Sequence, residues 1–87
     1  MDRRKGKRNW SVYILRCSDG TLYTGITNDL PARLQAHNGG QGARYTRTRR
    51  PVELLYKENG MNRSKALSRE CAVKALSKKK KEDLVAQ

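Results

Sequence analysis

Acidic residues are scarce in this chain: 8 Asp+Glu stand against 20 Lys+Arg, a formal net charge of +12 over 87 residues. On so small a body that imbalance makes a strong positive field and favours polyanionic partners. Nucleic acid leads, an anionic membrane surface comes second, and an inert solvated basic surface is the bland alternative. Long hydrophobic runs are also missing. None approaches the roughly 20 residues a spanning helix needs, and no long amphipathic helix sets large apolar residues opposite its lysines, which argues against a membrane partner. Histidine occurs once, as His37, and cysteine twice, as Cys17 and Cys71, far apart and without a CxxC motif. A Cys–His zinc site lacks the ligands it needs. Free thiols in a reducing compartment are the expectation. Met1 to Arg8 is charged and is followed by a strand pattern rather than an apolar run, so it reads as a flexible basic arm (1–9) and not as a secretory signal. Residues 10–87 then form one domain with one small core.

The segment from Trp10 to Arg16 is rich in β-branched and aromatic residues, as strands are. Apolar groups fall on both alternation phases, so the strand is expected to be covered on both faces. Thr21 to Thr27 reads as its hairpin partner, across Ser18-Asp19-Gly20. A two-residue Asp19-Gly20 turn would put Tyr13 and Tyr23 on opposite faces, because side chains alternate strictly. A three-residue turn with Gly20 left-handed in a bulge pairs Cys17 with Thr21, Leu15 with Tyr23 and Tyr13 with Gly25. Both phenols then share a face, on the side to which Glu70 comes, and Gly25 leaves space where a side chain would otherwise stand. The three-residue turn is the prediction.

Asn28 is a good N-cap for a first helix, with Asp29 in its first turn, Pro31 tolerated there, Leu30 and Leu34 as its buried stripe and Gly39-Gly40 as its end. A long irregular segment, Gly39 to Pro51, follows; loops of this length in small domains are functional or disordered. Val52 to Tyr56 reads as a third strand continuing towards Glu58. Asn62 caps a second helix to about Ser77, and Ser77 caps a lysine-rich final helix ending near Val85. The order ββα-β-αα gives an α+β fold: a three-stranded, mainly antiparallel sheet flanked by about three helices.

Arg33 and His37 are four apart on the first helix and project together from the edge of the core. There a guanidinium can hold a phosphate oxygen and an imidazole can donate to it; the alternative is an ordinary solvated pair with Arg33 bridged to Asp29. Glu70 is the anomaly of the second helix, with Ala66 and Val73 to one side and Leu67 and Cys71 to the other. A carboxylate centred in an apolar stripe is costly without a partner. The partner is either Lys74 at i+4 or a divalent metal completed by water and substrate phosphate. Arg44-Tyr45-Thr46-Arg47-Thr48-Arg49-Arg50 interleaves cations, an aromatic and hydroxyls, the composition of a backbone-tracking surface with a stacking platform, or of a solvated loop. Lys78 to Lys81 reads as a solvated helix face, and Tyr56 as core or interface.

Taken in order, these residues resemble the GIY-YIG nuclease superfamily, in particular its small stand-alone bacterial proteins of the YhbQ-like type. Val12-Tyr13-Ile14 stands near the first motif, with Ser11 in place of its glycine, and Tyr23-Thr24-Gly25 stands for Tyr-Ile-Gly. Arg33 with His37-Asn38, Gly42-Ala43-Arg44-Tyr45-Thr46, Arg49-Arg50-Pro51 and Ala66-Leu67…Glu70 follow in order, so the likeness spans Trp10 to about Val85. Ile26 stands where some relatives carry a lysine, and a late asparagine found in some has no equivalent here. The resemblance implies metal-dependent hydrolysis of phosphodiesters. Tyr13 and Tyr23 would activate or place water, Arg33 and His37 would stabilise the phosphate, and Glu70 would bind Mg²⁺ or Mn²⁺. Gly25, Arg44, Tyr45, Thr46, Arg47, Arg49, Arg50 and Lys74 are the residues expected against nucleic acid.

The expected activity is therefore that of a small endonuclease of the bacterial cytoplasm. It would act on DNA ahead of RNA with little sequence specificity and with no obligate protein partner. A non-catalytic basic nucleic-acid-binding protein is the rival, since charge and the arginine loop alone would suffice for it.

Overall fold

The computed structural model describes residues 8–87, so most of the expected basic arm, residues 1–7, lies outside the described residues. The described elements run β1 (Trp10–Arg16), β2 (Leu22–Thr27), α1 (Leu30–Asn38), α2 (Arg44–Arg47), β3 (Glu53–Met61), α3 (Arg63–Lys74) and α4 (Lys78–Val85). The three strands form one antiparallel sheet in the order β2-β1-β3, which makes β2 an edge. The α+β class and the sheet agree with the expectation. The helices number four among the described residues, because the loop expected to be irregular contains the single turn α2.

The hairpin turns through Ser18-Asp19-Gly20. Cys17 N–H donates to Thr21 O at 2.9 Å, and Gly20 takes φ +86°, a conformation only glycine reaches at little cost. Leu15 pairs with Tyr23 and Tyr13 with Gly25. Asp19 completes the turn by accepting from Thr21 N–H and Oγ1.

Strand β1 is buried from Ser11 to Leu15, because both of its faces are covered. Val12 and Ile14 pack on Ala66 and Val73 of α3, with Leu84 and Val85 of α4 at the margin. Tyr13, Leu15 and Cys17 pack with Val52 on the other face, against Leu30 and Leu34 of α1. Each fully buried aliphatic side chain contributes about 1.5–3 kcal/mol, so a core this small leaves little margin.

Several boundaries differ from expectation for local reasons. The α1 cap is Asp29 rather than Asn28: its carboxylate accepts from Ala32 N–H at 3.2 Å, while Thr27 Oγ1 accepts from Asp29 N–H. Asn62 caps α3 as expected, accepting from Lys65 N–H at 2.8 Å. That helix ends at Lys74 rather than near Ser77, because Ser77 caps α4 and a cap residue must leave helical backbone. Strand β3 runs past Glu58 to Met61, passing through Gly60 at φ +84° and a register shift opposite Trp10/Val12. Both cysteines are free, Cys17 buried and Cys71 exposed.

Candidate active site

The side-chain alternation that pairs Leu15 with Tyr23 places both phenols on the α1 face of the sheet. Their ring centroids are 6.4 Å apart, and His37 packs edge-on to each, at 5.9 Å from Tyr13 and 5.3 Å from Tyr23. The space beside Gly25 is filled by Tyr13 itself. A Cβ at Gly25 would lie 2.6 Å from the Tyr13 hydroxyl, so the glycine allows the phenol to lie flat against the edge strand.

His37 is not at the edge of the core. It is fully buried, and both ring nitrogens are engaged. The Thr46 hydroxyl donates to Ala43 O at 3.0 Å and lies 2.7 Å from His37 Nδ1, so it accepts from Nδ1–H. Nε2 is then the acceptor, and the Tyr13 hydroxyl donates to it at 2.9 Å. This order makes the imidazole neutral. Burial, and then the nearby Arg33 charge, push its pKa below the ordinary value. His37 therefore reaches a phosphate only through Tyr13. Gly42 makes the packing possible: a side chain there would overlap the His37 ring, with Cβ 2.7 Å from Cγ.

Tyr13 holds its proton firmly. Burial raises its pKa first, Arg33 opposes that shift, and the neighbouring Tyr23 and Glu70 reinforce it. Arg33, half-buried on α1, faces both phenols; Tyr13 contributes most to raising its pKa, so it is a permanent cation. The expected bridge to Asp29 is not formed, because that carboxylate caps α1.

Glu70 stands elsewhere than the periodicity suggested. Ala66 and Val73 are buried, but Leu67 is 39% exposed and Cys71 is exposed, so Glu70 lies at the margin of the stripe and not at its centre. Its side chain is 17% exposed and pairs with Lys74 at 3.3 Å, the ordinary i+4 partner. Helix α3 also packs on the Val12/Ile14 face, opposite the phenols. Glu70 contributes least among the influences that raise the Tyr13 pKa. Among the described residues no three His, Cys, Asp or Glu are grouped to hold a metal ion. A closed site of protein ligands does not fit. A magnesium-type ion does, since it takes one or two carboxylates and fills its shell with water and phosphate.

The loop residues divide. Thr46 is fully buried beneath His37, and Gly25 is covered by Tyr13, so neither presents a surface to nucleic acid. Tyr45 stacks on Tyr23 at 6.0 Å and 21°, with the Arg49 guanidinium 4.0 Å from its centroid, so its ring is held in place while remaining 38% exposed. Arg49 also pairs with Asp19 at 3.1 Å and donates to Tyr45 O at 2.8 Å, tying the loop to the hairpin turn. Lys74 is paired with Glu70. Arg44 and Arg47 are exposed, and Arg50 binds backbone carbonyls. Sequence reasoning named Asn38 only within the His37-Asn38 match and missed its role: its amide accepts from Val52 N–H at 2.7 Å and donates to Val52 O at 3.1 Å, clamping α1 to the start of β3. It also missed the buried Thr24 hydroxyl, which has no partner among the described residues. Tyr56 is partly buried and donates to Glu58, which Arg69 holds with two bonds of 2.8 Å.

Residues 9–83 match the family model described as the GIY-YIG catalytic domain. A UPF0213 protein of Desulfotalea psychrophila is 54% identical over 77 residues, covering 87% of this chain and 70% of the relative. One from Staphylococcus aureus is 51% identical over 74 residues, covering 85% and 90%. Two solution NMR structures are similar. UPF0213 protein BH0048 from Bacillus halodurans is 44% identical with TM-score 0.57 over 88% of this chain and 82% of that one. Protein EF2693 from E. faecalis is 41% identical with TM-score 0.62 over 93% and 86%.

Proposed function

The chain belongs to the GIY-YIG catalytic-domain family, a membership that implies nuclease activity on nucleic acid, and from that premise we propose a small metal-dependent endonuclease that hydrolyses DNA phosphodiesters with little sequence specificity, in the bacterial cytoplasm. The observation that supports this reading is the packed cluster of Tyr13, Tyr23 and His37 on the α1 face of the sheet, with Tyr13 donating to His37 and the Arg33 cation of α1 beside it. No helix of the described residues is long and apolar enough to cross a membrane. The acids Asp19, Glu53, Glu58 and Glu70 each pair with a cation within the protein, so the remaining excess of Lys and Arg stands available to phosphates.

In this reading water attacks phosphorus while the bond to the leaving sugar oxygen breaks. Tyr23, entering as its phenolate, would take the proton of the attacking water and become the neutral phenol, while the leaving sugar oxygen takes a proton from solvent. Tyr13 does not compete for that role, because burial keeps it protonated and it already donates to His37. It fixes the geometry beside Tyr23, with His37 and Thr46 holding it from behind. Arg33 donates to a non-bridging oxygen and opposes the charge that gathers on the phosphoryl group. Glu70, joined by water and substrate phosphate, would hold Mg²⁺ or Mn²⁺, which when bound polarises a phosphate oxygen and offsets charge on the leaving oxygen.

The test is cleavage of single-stranded, duplex and branched DNA with and without divalent metal, comparing wild type with Tyr23→Phe and Glu70→Ala. Metal-dependent product from wild type alone supports the site. Equal activity in all three proteins rules it out. Salt-sensitive binding with no product at all would favour the non-catalytic binding protein instead.

A further inference from the structure

The four arginines of the loop do not share one role. Arg49 is neutralised by Asp19 and lies over Tyr45. Arg50, its neighbour, is held in a different way. Its Nε donates to Arg47 O at 2.9 Å and its Nη1 to Asn38 O at 3.3 Å. Gly40, at φ +85°, makes room for it, since a Cβ there would lie 2.9 Å from Nη1. Both partners are neutral carbonyls, so the guanidinium is immobilised with its charge intact, and no carboxylate pairs with Arg47 or Arg50 among the described residues.

These two arginines line an open cleft of about 610 Å³ together with Asn38, Thr48 and Pro51. None of Tyr13, Tyr23, Arg33, His37 or Glu70 lines it. Tyr45 and Thr46 of α2 contact the phenol cluster, whereas Arg47 and Thr48 border the cleft. A fixed, uncompensated guanidinium is a ready anion receptor, because its rotamer entropy has already been lost in folding. Its planar donor set suits phosphate. Thr48 adds a hydroxyl, and Arg47 a second cation whose side chain has no partner among the described residues.

We propose that this cleft is a second phosphate subsite, built on Arg50 and Arg47, that grips the nucleic-acid backbone at a phosphodiester other than the one being cut. It rests on the nucleic-acid reading above, and it divides the loop into a strut, Arg49, and a grip, Arg50 with Arg47.

The experiment follows the Nε–Hε signals of Arg47 and Arg50 in ¹⁵N-labelled full-length protein, in metal-free buffer. One arm adds inorganic phosphate and the other a short single-stranded oligodeoxynucleotide. Wild type is compared with Arg47→Gln, which removes no contact that holds the loop. Saturable shifts of the Arg50 signal at oligonucleotide concentrations well below those needed for phosphate are expected. Arg47→Gln should weaken oligonucleotide binding about tenfold and reduce the salt slope of log K by about 1. Oligonucleotide binding with both arginine signals unmoved, or equal affinity in the variant, overturns the subsite. Phosphate binding as tightly as the oligonucleotide overturns the backbone as its occupant. The titration reads the cleft directly, so a protein that yields no metal-dependent product would refute the nuclease reading and leave this result standing.

Discussion

Replacing Gly25 by alanine sets two opposite expectations against each other. In an ordinary strand alanine is preferred to glycine by roughly 0.5–1 kcal/mol, and Gly25 is not among the glycines with positive φ, so its backbone would accept a side chain. The close approach of Tyr13 reverses the sign. The new Cβ would lie 2.6 Å from the phenolic oxygen and 2.7 Å from the ring carbon that bears it. Ordinary contacts are about 3.5–4.0 Å, so the phenol has to retreat by about 1 Å. It has little room, being 1% exposed and bonded to His37. Overpacking and the loss of that bond together predict destabilisation of about 2–4 kcal/mol, which is a fall in Tm of about 10–25 °C for a domain this size. Metal-dependent cleavage should drop about 10²-fold if the phenol moves that far. Urea denaturation followed by circular dichroism reads the first quantity, and single-turnover cleavage reads the second. In a Tyr13→Leu background the cost of Gly25→Ala should shrink by about 1 kcal/mol or more, because the clashing group is gone. A neutral or stabilising Gly25→Ala in the wild-type background would refute the close packing and the site geometry that depends on it.

Gly42→Ala should likewise cost more than about 2 kcal/mol by displacing the His37 ring, while Gly20→Ala, which meets nothing but sits at φ +86°, should cost only the left-handed backbone penalty of about 1–2 kcal/mol; equal costs in denaturant titrations would contradict this. Thr46→Val leaves the buried His37 Nδ1–H unpaired and should destabilise by about 1–3 kcal/mol, with Thr46→Ser much milder, and an undiminished Thr46→Val protein would show that the hydroxyl is dispensable. The buried His37 has a folded pKa below its unfolded value of about 6.5. The unfolded chain therefore binds the extra proton first, and stability should fall as pH drops below that value. Denaturation between pH 7 and 5 should show that slope in wild type and a flatter one in His37→Gln; identical slopes would count against a buried neutral histidine.

Local rules carried far along this chain. Parity of side chains across the hairpin was enough to select the three-residue turn and to bring Tyr13 and Tyr23 to one face, because a strand has a period of two and a one-residue error would separate them. Asn62 and Ser77 cap the helices they were expected to cap, because each satisfies a backbone donor within three residues of itself. Where two capping residues stood side by side, as in Asn28-Asp29, the local signal was ambiguous, and the hydroxyl of Thr27 favoured the second. Glu70 shows the limit of periodicity. Its neighbours suggested a broad apolar stripe, but Leu67 and Cys71 stay exposed, so the carboxylate falls at a margin.

The sequence by itself determined the α+β order, the hairpin register, the excess of positive charge and the ordered residues that place the chain in its family. All of these are properties of neighbours along the chain or of simple counts. Only the tertiary structure decided which of the basic and polar residues remain available. Burial closed Thr46 and His37 behind Tyr13. Asp19, distant in sequence, engaged Arg49. Two backbone carbonyls fixed Arg50 without neutralising it. The packing of α3 on the sheet face opposite the phenols left Glu70 at the margin, paired with Lys74. The physical reason is common to all four. A residue's charge and donors follow from its type, but whether they meet solvent, a substrate or another part of the protein depends on contacts between segments that the local pattern does not encode.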